Sequence, residues 1–137
     1  MPPVFPSAEW LVAFKDKLNS DPKYAQTAKN WEGDMDFTIE PGGPLKETMV
    51  MYLDLWHGEC RSAHVVAPNE TKQDAAFVLA ASYDQYVRIL KGELDPIQAM
   101  LTRKLKVKGN MAYMMRNVPV VLDFVRCLRE VTEEYLA

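Results

Sequence analysis

The spacing of apolar residues changes along this chain, and these changes limit the folds that it can adopt. Between residues 10 and 31, apolar side chains recur every three or four positions, the period of an amphipathic helix. Between residues 34 and 40 they alternate with polar side chains, as in a half-buried strand. Helical spacing returns at residue 82 and again from residue 111 to 131. The pattern therefore predicts an α+β fold.

Five strands are predicted. The first covers residues 34–40, and a Pro-Gly-Gly-Pro turn leads to the second at 49–56. A two-residue II′ turn at Gly58 and Glu59 leads to a third strand at 64–66. The run at 75–80 is apolar on both faces, which is typical of a central strand. Leu105 and Val107 alternate with lysines and predict a fifth strand with one solvent-exposed face.

Helix signals occupy the rest of the chain. Ser7 and Asp21 are expected to cap two short N-terminal helices, and Ser82 and Asp95 two more between the fourth and fifth strands. This long connection permits the fourth and fifth strands to pair in parallel. Pro119 should divide a short helix from a longer terminal one. Because chain ends are loosely held, we expect the terminal helix to act as a lid.

Length and composition narrow the class of protein. The 137 residues suit a single domain over 1–137, and a net charge of -3 does not favour a nucleic-acid partner. The longest apolar run, residues 75–81, is too short to span a bilayer, and the N-terminal residues lack the features of a secretory signal. Two well-separated cysteines, Cys60 and Cys127, suit a reducing compartment. We predict a cytoplasmic protein, a monomer or dimer, without metal or cofactor.

Residues 75–111 carry a specific series of motifs. An apolar strand is followed by a capped helix that ends at Gly92, then by Gly-x-x-x-Pro-x-x-Ala at 92–99 and Lys-Leu-Lys-Val-Lys-Gly-Asn-Met at 104–111. In this order and spacing, the segment resembles the sterol carrier protein type-2 domain. Arg103 stands where members of that family usually carry glycine.

The resemblance implies a five-stranded mixed sheet with about five helices packed on one face, enclosing an apolar tunnel. It also implies a stand-alone, non-enzymatic protein for intracellular lipid binding and transfer, with a fatty-acyl, acyl-CoA, sterol or isoprenoid-like ligand. An alternative is an accessory protein that presents isoprenoid or quinone intermediates to partner enzymes.

The predicted ligand-binding residues are apolar side chains of the second and fourth strands and of the covering helices. Several are methionines, whose unbranched side chains adapt to varied ligand shapes. We expect them to line a pocket of roughly 300 to 1,000 Å³. The set is Met49, Met51, Leu53, Leu55, Phe77, Tyr86, Ile89, Met100, Leu101, Met111, Met114, Met115, Val121 and Val125.

His57, Cys60 and His64 form a cluster of potentially reactive residues. With the predicted turn, His57 would face Cys60, and His64 would lie opposite Leu53. Cys60 as nucleophile and His57 as base could make a hydrolase of acyl esters, or the three residues could begin a metal site. The sequence offers neither an orienting carboxylate nor a fourth ligand at a suitable spacing. We therefore favour a structural role and predict no catalysis.

Arg103, Lys104, Lys106 and Lys108 form a basic stripe in an acidic protein. Lysines on an edge strand discourage pairing with another chain, which is one explanation. The other is transient contact with an anionic membrane surface.

Overall fold

The computed structural model describes residues 2–70 and 74–137. In these ranges, no helix is both long enough and apolar enough to cross a membrane. The elements, in chain order, are β1 (Val4–Phe5), α1 (Ala8–Ser20), α2 (Pro22–Thr27), β2 (Met35–Glu40), β3 (Met49–Trp56), β4 (Glu59–Val66), β5 (Phe77–Ser82), α3 (Tyr83–Leu90), α4 (Pro96–Leu101), β6 (Lys106–Lys108), α5 (Met111–Arg116), α6 (Val118–Val131) and β7 (Glu134–Tyr135).

Five strands form the main sheet, in the order β4-β3-β2-β5-β6, so the predicted five-stranded mixed sheet is confirmed. The pairs β2 with β3 and β3 with β4 are antiparallel, whereas β2 and β5 are parallel. The edge strand β6 is antiparallel to β5. The parallel pairing considered for these last two strands is therefore wrong, because a long connection permits either direction.

The helices begin where the sequence signals predict. Ser7, Asp21, Ser82 and Asp95 each accept a hydrogen bond from a backbone N–H in the first turn of the following helix. Such bonds satisfy backbone donors that have no partner within the helix. Pro119 lies in the first turn of α6 and separates it from α5, as predicted.

The helices pack on one face of the main sheet. Phe37 in β2 contacts Tyr86 of α3 and Phe124 of α6, with ring centroids 6.0 and 5.8 Å apart. Because side chains alternate along a strand, neighbouring Asp36 points to the opposite face, beside its cross-strand partner Tyr52. The core therefore lies between the helices and one face of the sheet.

The hairpin between β3 and β4 turns one residue earlier than predicted. His57 and Gly58 both have positive φ, 49° and 82°, which is typical of a I′ turn and not of the predicted II′ turn. A Cβ on Gly58 would lie 2.6 Å from the carbonyl oxygen of Ala25, so no larger residue fits there without a shift. Consequently β4 begins at Glu59, five residues before the predicted start at His64.

The two chain ends are tied together. β1 and β7 form a parallel two-stranded sheet that the sequence pattern did not predict. Nearby, the Trp10 indole N–H donates to Thr132 Oγ1 at 2.9 Å, and the Tyr83 hydroxyl donates to the Leu136 carbonyl at 2.8 Å. These contacts hold both ends of the chain against the core.

Candidate functional site

An apolar cavity lies between the covered face of the main sheet and the helices. Its volume is about 50 Å³, smaller than the predicted range, because large aromatic side chains reach into this part of the core. The lining consists of Tyr24, Trp31, Met35, Phe37, Leu55, Leu79, Tyr86, Ile89, Leu90, Pro96, Met100, Leu105, Met114, Val120, Val121, Phe124, Val125 and Leu128.

The sheet forms the floor of this cavity. Met35 and Phe37 come from β2, Leu55 from β3 and Leu79 from β5. In β2, the two side chains are two residues apart, so they point to the same face. Phe37 and Leu79 are also direct partners across the parallel pair. Strand periodicity and register thus bring these residues together.

The walls come from the helices. In α6, Val121, Phe124, Val125 and Leu128 recur at three- and four-residue spacing, so they form one stripe that faces the cavity. Tyr86, Ile89 and Leu90 make the corresponding stripe of α3, while Met100 of α4 and Met114 of α5 complete the wall. In α3 and α6, the apolar residues that line the cavity are the same residues whose spacing predicts an amphipathic helix.

The cavity lining is uncharged. Among the described residues, it contains no aspartate, glutamate, lysine, arginine or histidine side chain. Burial raises the pKa of the Tyr24 and Tyr86 hydroxyls well above the usual range, so both stay neutral. The Tyr86 hydroxyl donates to the carbonyl oxygen of Leu79 at 2.6 Å. The site is therefore suited to apolar rather than ionic groups.

The structure brings half of the predicted ligand-binding residues to this cavity, namely Leu55, Tyr86, Ile89, Met100, Met114, Val121 and Val125. The other half lie elsewhere. Met51 and Leu53 are fully buried in the core, on the part of the sheet beside β4 and α1. Phe77 is also buried and packs against Trp31 and Tyr113.

The remaining predicted residues are less deeply buried. Met49, Met111 and Met115 are half-buried and do not line the cavity. Leu101, predicted to face the ligand, is instead 63% exposed. The short helix α4 turns its neighbour Met100 inward, so Leu101 points to solvent.

Several lining residues were missed. Met35, Phe37 and Leu79 were identified as strand residues but not as ligand contacts, although their alternation places them on the covered face. Tyr24 and Trp31 lie on and just after α2, whose apolar stripe was also visible. The position of the cavity along the sheet depends on how helices that are distant in the sequence pack together. The spacing of apolar residues within one segment does not encode that packing.

The predicted cluster of His57, Cys60 and His64 is not assembled. Cys60 pairs with Leu55 and is buried, and burial raises the pKa of its thiol to about 11. His57 lies in the exposed turn, with its Nε2 2.7 Å from Glu32 Oε2. His64 pairs with Tyr52 rather than with Leu53. A thiol that is buried and protonated at neutral pH is a poor nucleophile.

Asp21, Asp123 and Cys127 come within metal-ligating distance of one another. However, Arg126 already donates to the carboxylates of Asp21 and Asp123, at 2.7 and 2.8 Å. Burial raises the pKa of the Cys127 thiol to about 11, which disfavours the thiolate that a metal requires. We interpret this cluster as a structural ion-pair network.

The five-stranded mixed sheet with helices on one face matches the fold of sterol carrier proteins of known structure. A crystal structure of sterol carrier protein 2 aligns with a TM-score of 0.81 and 32% identity, over 92% of this chain and 98% of that chain. A conserved hypothetical protein from Thermus thermophilus, described as possibly a sterol carrier protein, aligns with a TM-score of 0.81 and 30% identity, over 93% and 89%.

The sequence agrees with this structural similarity. Residues 12–121 match the model of the SCP-2 sterol transfer family, and the chain belongs to that family. A curated relative, hydroxysteroid dehydrogenase-like protein 2 of Bos taurus, is 42% identical over 43 residues. That match covers 31% of this chain and 10% of the bovine protein, so this chain matches a small part of that protein.

Proposed function

We propose that this protein binds one lipid-like molecule in the apolar cavity and transfers it without converting it. The ligand class is fatty-acyl, acyl-CoA, sterol or isoprenoid-like. The observation that carries the proposal is the wholly apolar and aromatic lining beneath the helices. Membership of a sterol transfer family supports the same conclusion.

The hydrophobic effect can supply the affinity. Burial of an acyl chain contributes about 0.8 kcal/mol per methylene, so ~15 carbons contribute on the order of 12 kcal/mol before association and ordering costs. A charged head group would find no ionic partner in the described lining and should remain at the surface. The ligand is therefore recognised mainly by its apolar part.

The cavity must widen to accept such a ligand. A volume of about 50 Å³ has room for a few water-sized molecules and not for a whole acyl chain. Met35, Met100 and Met114 supply flexible walls, because an unbranched thioether changes rotamer more readily than a branched side chain. We expect rearrangement of these side chains, together with small shifts of the helices, on binding.

The proposal also holds that the protein is not an enzyme and acts in the cytoplasm. The burial of the Cys60 thiol and the contact of the His57 ring with Glu32 support a carrier over a thiol hydrolase. Two free, buried cysteines suit a reducing compartment. Hydrolysis of an acyl ester by the wild type that disappears in Cys60→Ser would contradict this part of the proposal.

The test of the ligand class is direct. Delipidated protein would be incubated separately with fatty acids, acyl-CoA, sterols and isoprenoids, and the complexes measured by native mass spectrometry. We expect a complex with one ligand per chain for at least one of these classes. Binding confined to isoprenoids would favour the accessory-protein alternative. Failure to bind any of the four classes would contradict the proposed function.

A further inference from the structure

One aromatic side chain of the cavity lining lies at the end of the sheet that forms the floor. Trp31 lines the cavity and is buried, but it belongs to neither a helix nor a strand. The neighbouring strands stop beside it, because β2 begins at Met35 and β3 ends at Trp56. The Trp31 carbonyl accepts a hydrogen bond from the His57 N–H, in the turn after β3, at 2.7 Å. Trp31 therefore lies just beyond the floor that β2 and β3 provide.

Two further aromatic residues lie behind the Trp31 ring. The centroids of the Phe77 and Tyr113 rings are 5.5 and 5.1 Å from that of Trp31, and neither residue lines the cavity. Tyr113 is half-buried, and its hydroxyl accepts from the N–H of the exposed residue Glu32 at 2.9 Å. The Trp31 ring thus separates the cavity from this aromatic pair, beyond which lies solvent.

Hydrogen bonds fix the position of Trp31. Its indole N–H donates to the Gly33 carbonyl at 2.9 Å, and its backbone N–H donates to the Ala28 carbonyl at 2.9 Å. A Cβ on Gly33 would lie 2.9 Å from the Phe77 ring, so the glycine permits the close approach of Phe77 behind Trp31. A buried ring that is bonded through both side chain and backbone cannot swing aside without the cost of unpaired polar groups.

The rest of the lining is easier to rearrange. The methionine side chains of the lining, Met35, Met100 and Met114, change rotamer without loss of a side-chain hydrogen bond within the described residues. Widening of the cavity on ligand binding should therefore occur at these side chains and not at Trp31. A ligand chain that reaches the Trp31 end meets a ring that is held in place.

We infer that Trp31 closes one end of the cavity and sets the longest acyl chain that the protein accepts. This role of Trp31 rests on the proposed function, because it concerns the length of the proposed ligand. Each methylene that finds apolar space contributes about fourfold in affinity, whereas a methylene that would overlap the Trp31 ring contributes none. Affinity should therefore rise with chain length to an optimum and then fall.

The test changes the closed end of the cavity and measures chain-length preference. Delipidated protein is incubated with an equimolar mixture of saturated fatty acids, or of their CoA thioesters if the wild type binds only those. Native mass spectrometry resolves the complexes by ligand mass, so each ligand is compared within one sample. Trp31→Leu vacates space for roughly two methylenes. The ratio of the acid two carbons longer than the wild-type optimum to the optimum itself should rise about 15-fold.

Trp10→Leu is the matched control. Trp10 is fully buried and does not line the cavity, and its indole N–H also makes one hydrogen bond, to Thr132 Oγ1 at 2.9 Å. Both variants lose the same side-chain volume and one indole hydrogen bond, but only Trp31→Leu changes the cavity end. Trp10→Leu should keep the wild-type optimum. Trp31→Phe removes less volume and should give a smaller shift, which provides the test if Trp31→Leu does not fold.

Several results would overturn this role of Trp31. An unchanged optimum in the folded Trp31 variants would do so and would leave the carrier function standing. Faster ligand release with an unchanged optimum would show that Trp31 is a gate instead of a closed end. An equal shift in Trp10→Leu would point to general loosening of the core. A wild type that binds only sterols or isoprenoids would exclude the chain-length limit alone, whereas one that binds none of the four ligand classes would also contradict the proposed function.

Discussion

Arg126 of α6 forms a bidentate ion pair with Asp21, from Nη2 to Oδ1 at 2.7 Å and from Nη1 to Oδ2 at 3.1 Å. Asp21 lies between α1 and α2 and caps the latter. The Arg126 guanidinium also donates to the buried Asp123 at 2.8 Å. The helix that forms a wall of the cavity is thus fixed to the N-terminal helix pair, which argues against the expectation that the terminal helix is a loosely attached lid.

Replacement of Arg126 should destabilise the whole domain. Arg126→Leu leaves the carboxylate of Asp123 buried with only Lys23, 3.6 Å away, as an ion-pair partner in the described chain. We expect a loss of roughly 2 to 3 kcal/mol in the free energy of unfolding, measured by urea denaturation. Arg116→Leu, at an exposed position, should change it by less than about 0.5 kcal/mol. Equal effects of Arg126→Leu and Arg116→Leu on the free energy of unfolding would contradict the stabilising role of the Arg126 ion pairs.

The same ion pair predicts a loss of stability in acid. Hydrogen bonds from Arg126 hold the pKa of Asp21 well below its usual value, so its folded pKa lies below the unfolded value of about 3.9. The stabilisation is therefore complete above about pH 5 and is lost as pH falls towards the folded pKa. Asp21→Asn keeps the helix cap but removes the charge.

The measurement compares the wild type with Asp21→Asn by urea denaturation at pH 7 and pH 3. The wild type should be more stable than the variant at pH 7, and the difference should shrink at pH 3. A difference that is the same at both pH values would show that the charge of Asp21 is not responsible.

Arg103→Gly should stabilise the protein. At a φ of 62°, a side chain is strained in the folded state, and glycine relieves that strain while adding some unfolded-state entropy. We expect a net gain of about 0.5 to 1 kcal/mol in thermal or urea denaturation. Lys104→Gly, which removes the same charge from the neighbouring residue without positive φ, should be neutral or destabilising. Stabilisation by both variants would point to charge instead of backbone strain.

Local signals in the sequence predicted most of the fold. The caps Ser82 and Asp95 depend on side chains that bond to backbone within three residues, so the sequence indicates them directly. The hairpin was misplaced by one residue because His57 occupies a positive-φ position that the sequence pattern assigns to Gly58 alone. Antiparallel pairing of β5 and β6 depends on how two helices pack, which a spacing rule does not contain.

The candidate site was predicted less completely than the fold, because it depends on how separate elements pack together. Val121 and Val125 were identified because they belong to a helical stripe that is visible within one segment. Leu101 was predicted to face the ligand because Ile97, Met100 and Leu101 follow helical spacing, but a six-residue helix buries only part of its circumference. Asp123 and Arg126 lie three residues apart on α6, outside its apolar stripe, and this spacing could have revealed the ion pair.

The central claim, that a lipid occupies the apolar cavity, is tested most directly by filling that cavity. Val121 is 8% exposed and lines it, whereas Val12 is 58% exposed on α1, so Val121→Phe and Val12→Phe add the same group inside and outside. Both variants should remain folded. We expect Val121→Phe to lower the free energy of unfolding by about 1 to 3 kcal/mol.

Native mass spectrometry of both variants with a fatty acid that the wild type binds provides the measurement. We predict that Val121→Phe loses the complex of one ligand per chain and that Val12→Phe retains it. A folded Val121→Phe variant that binds the ligand as the wild type does would contradict the account.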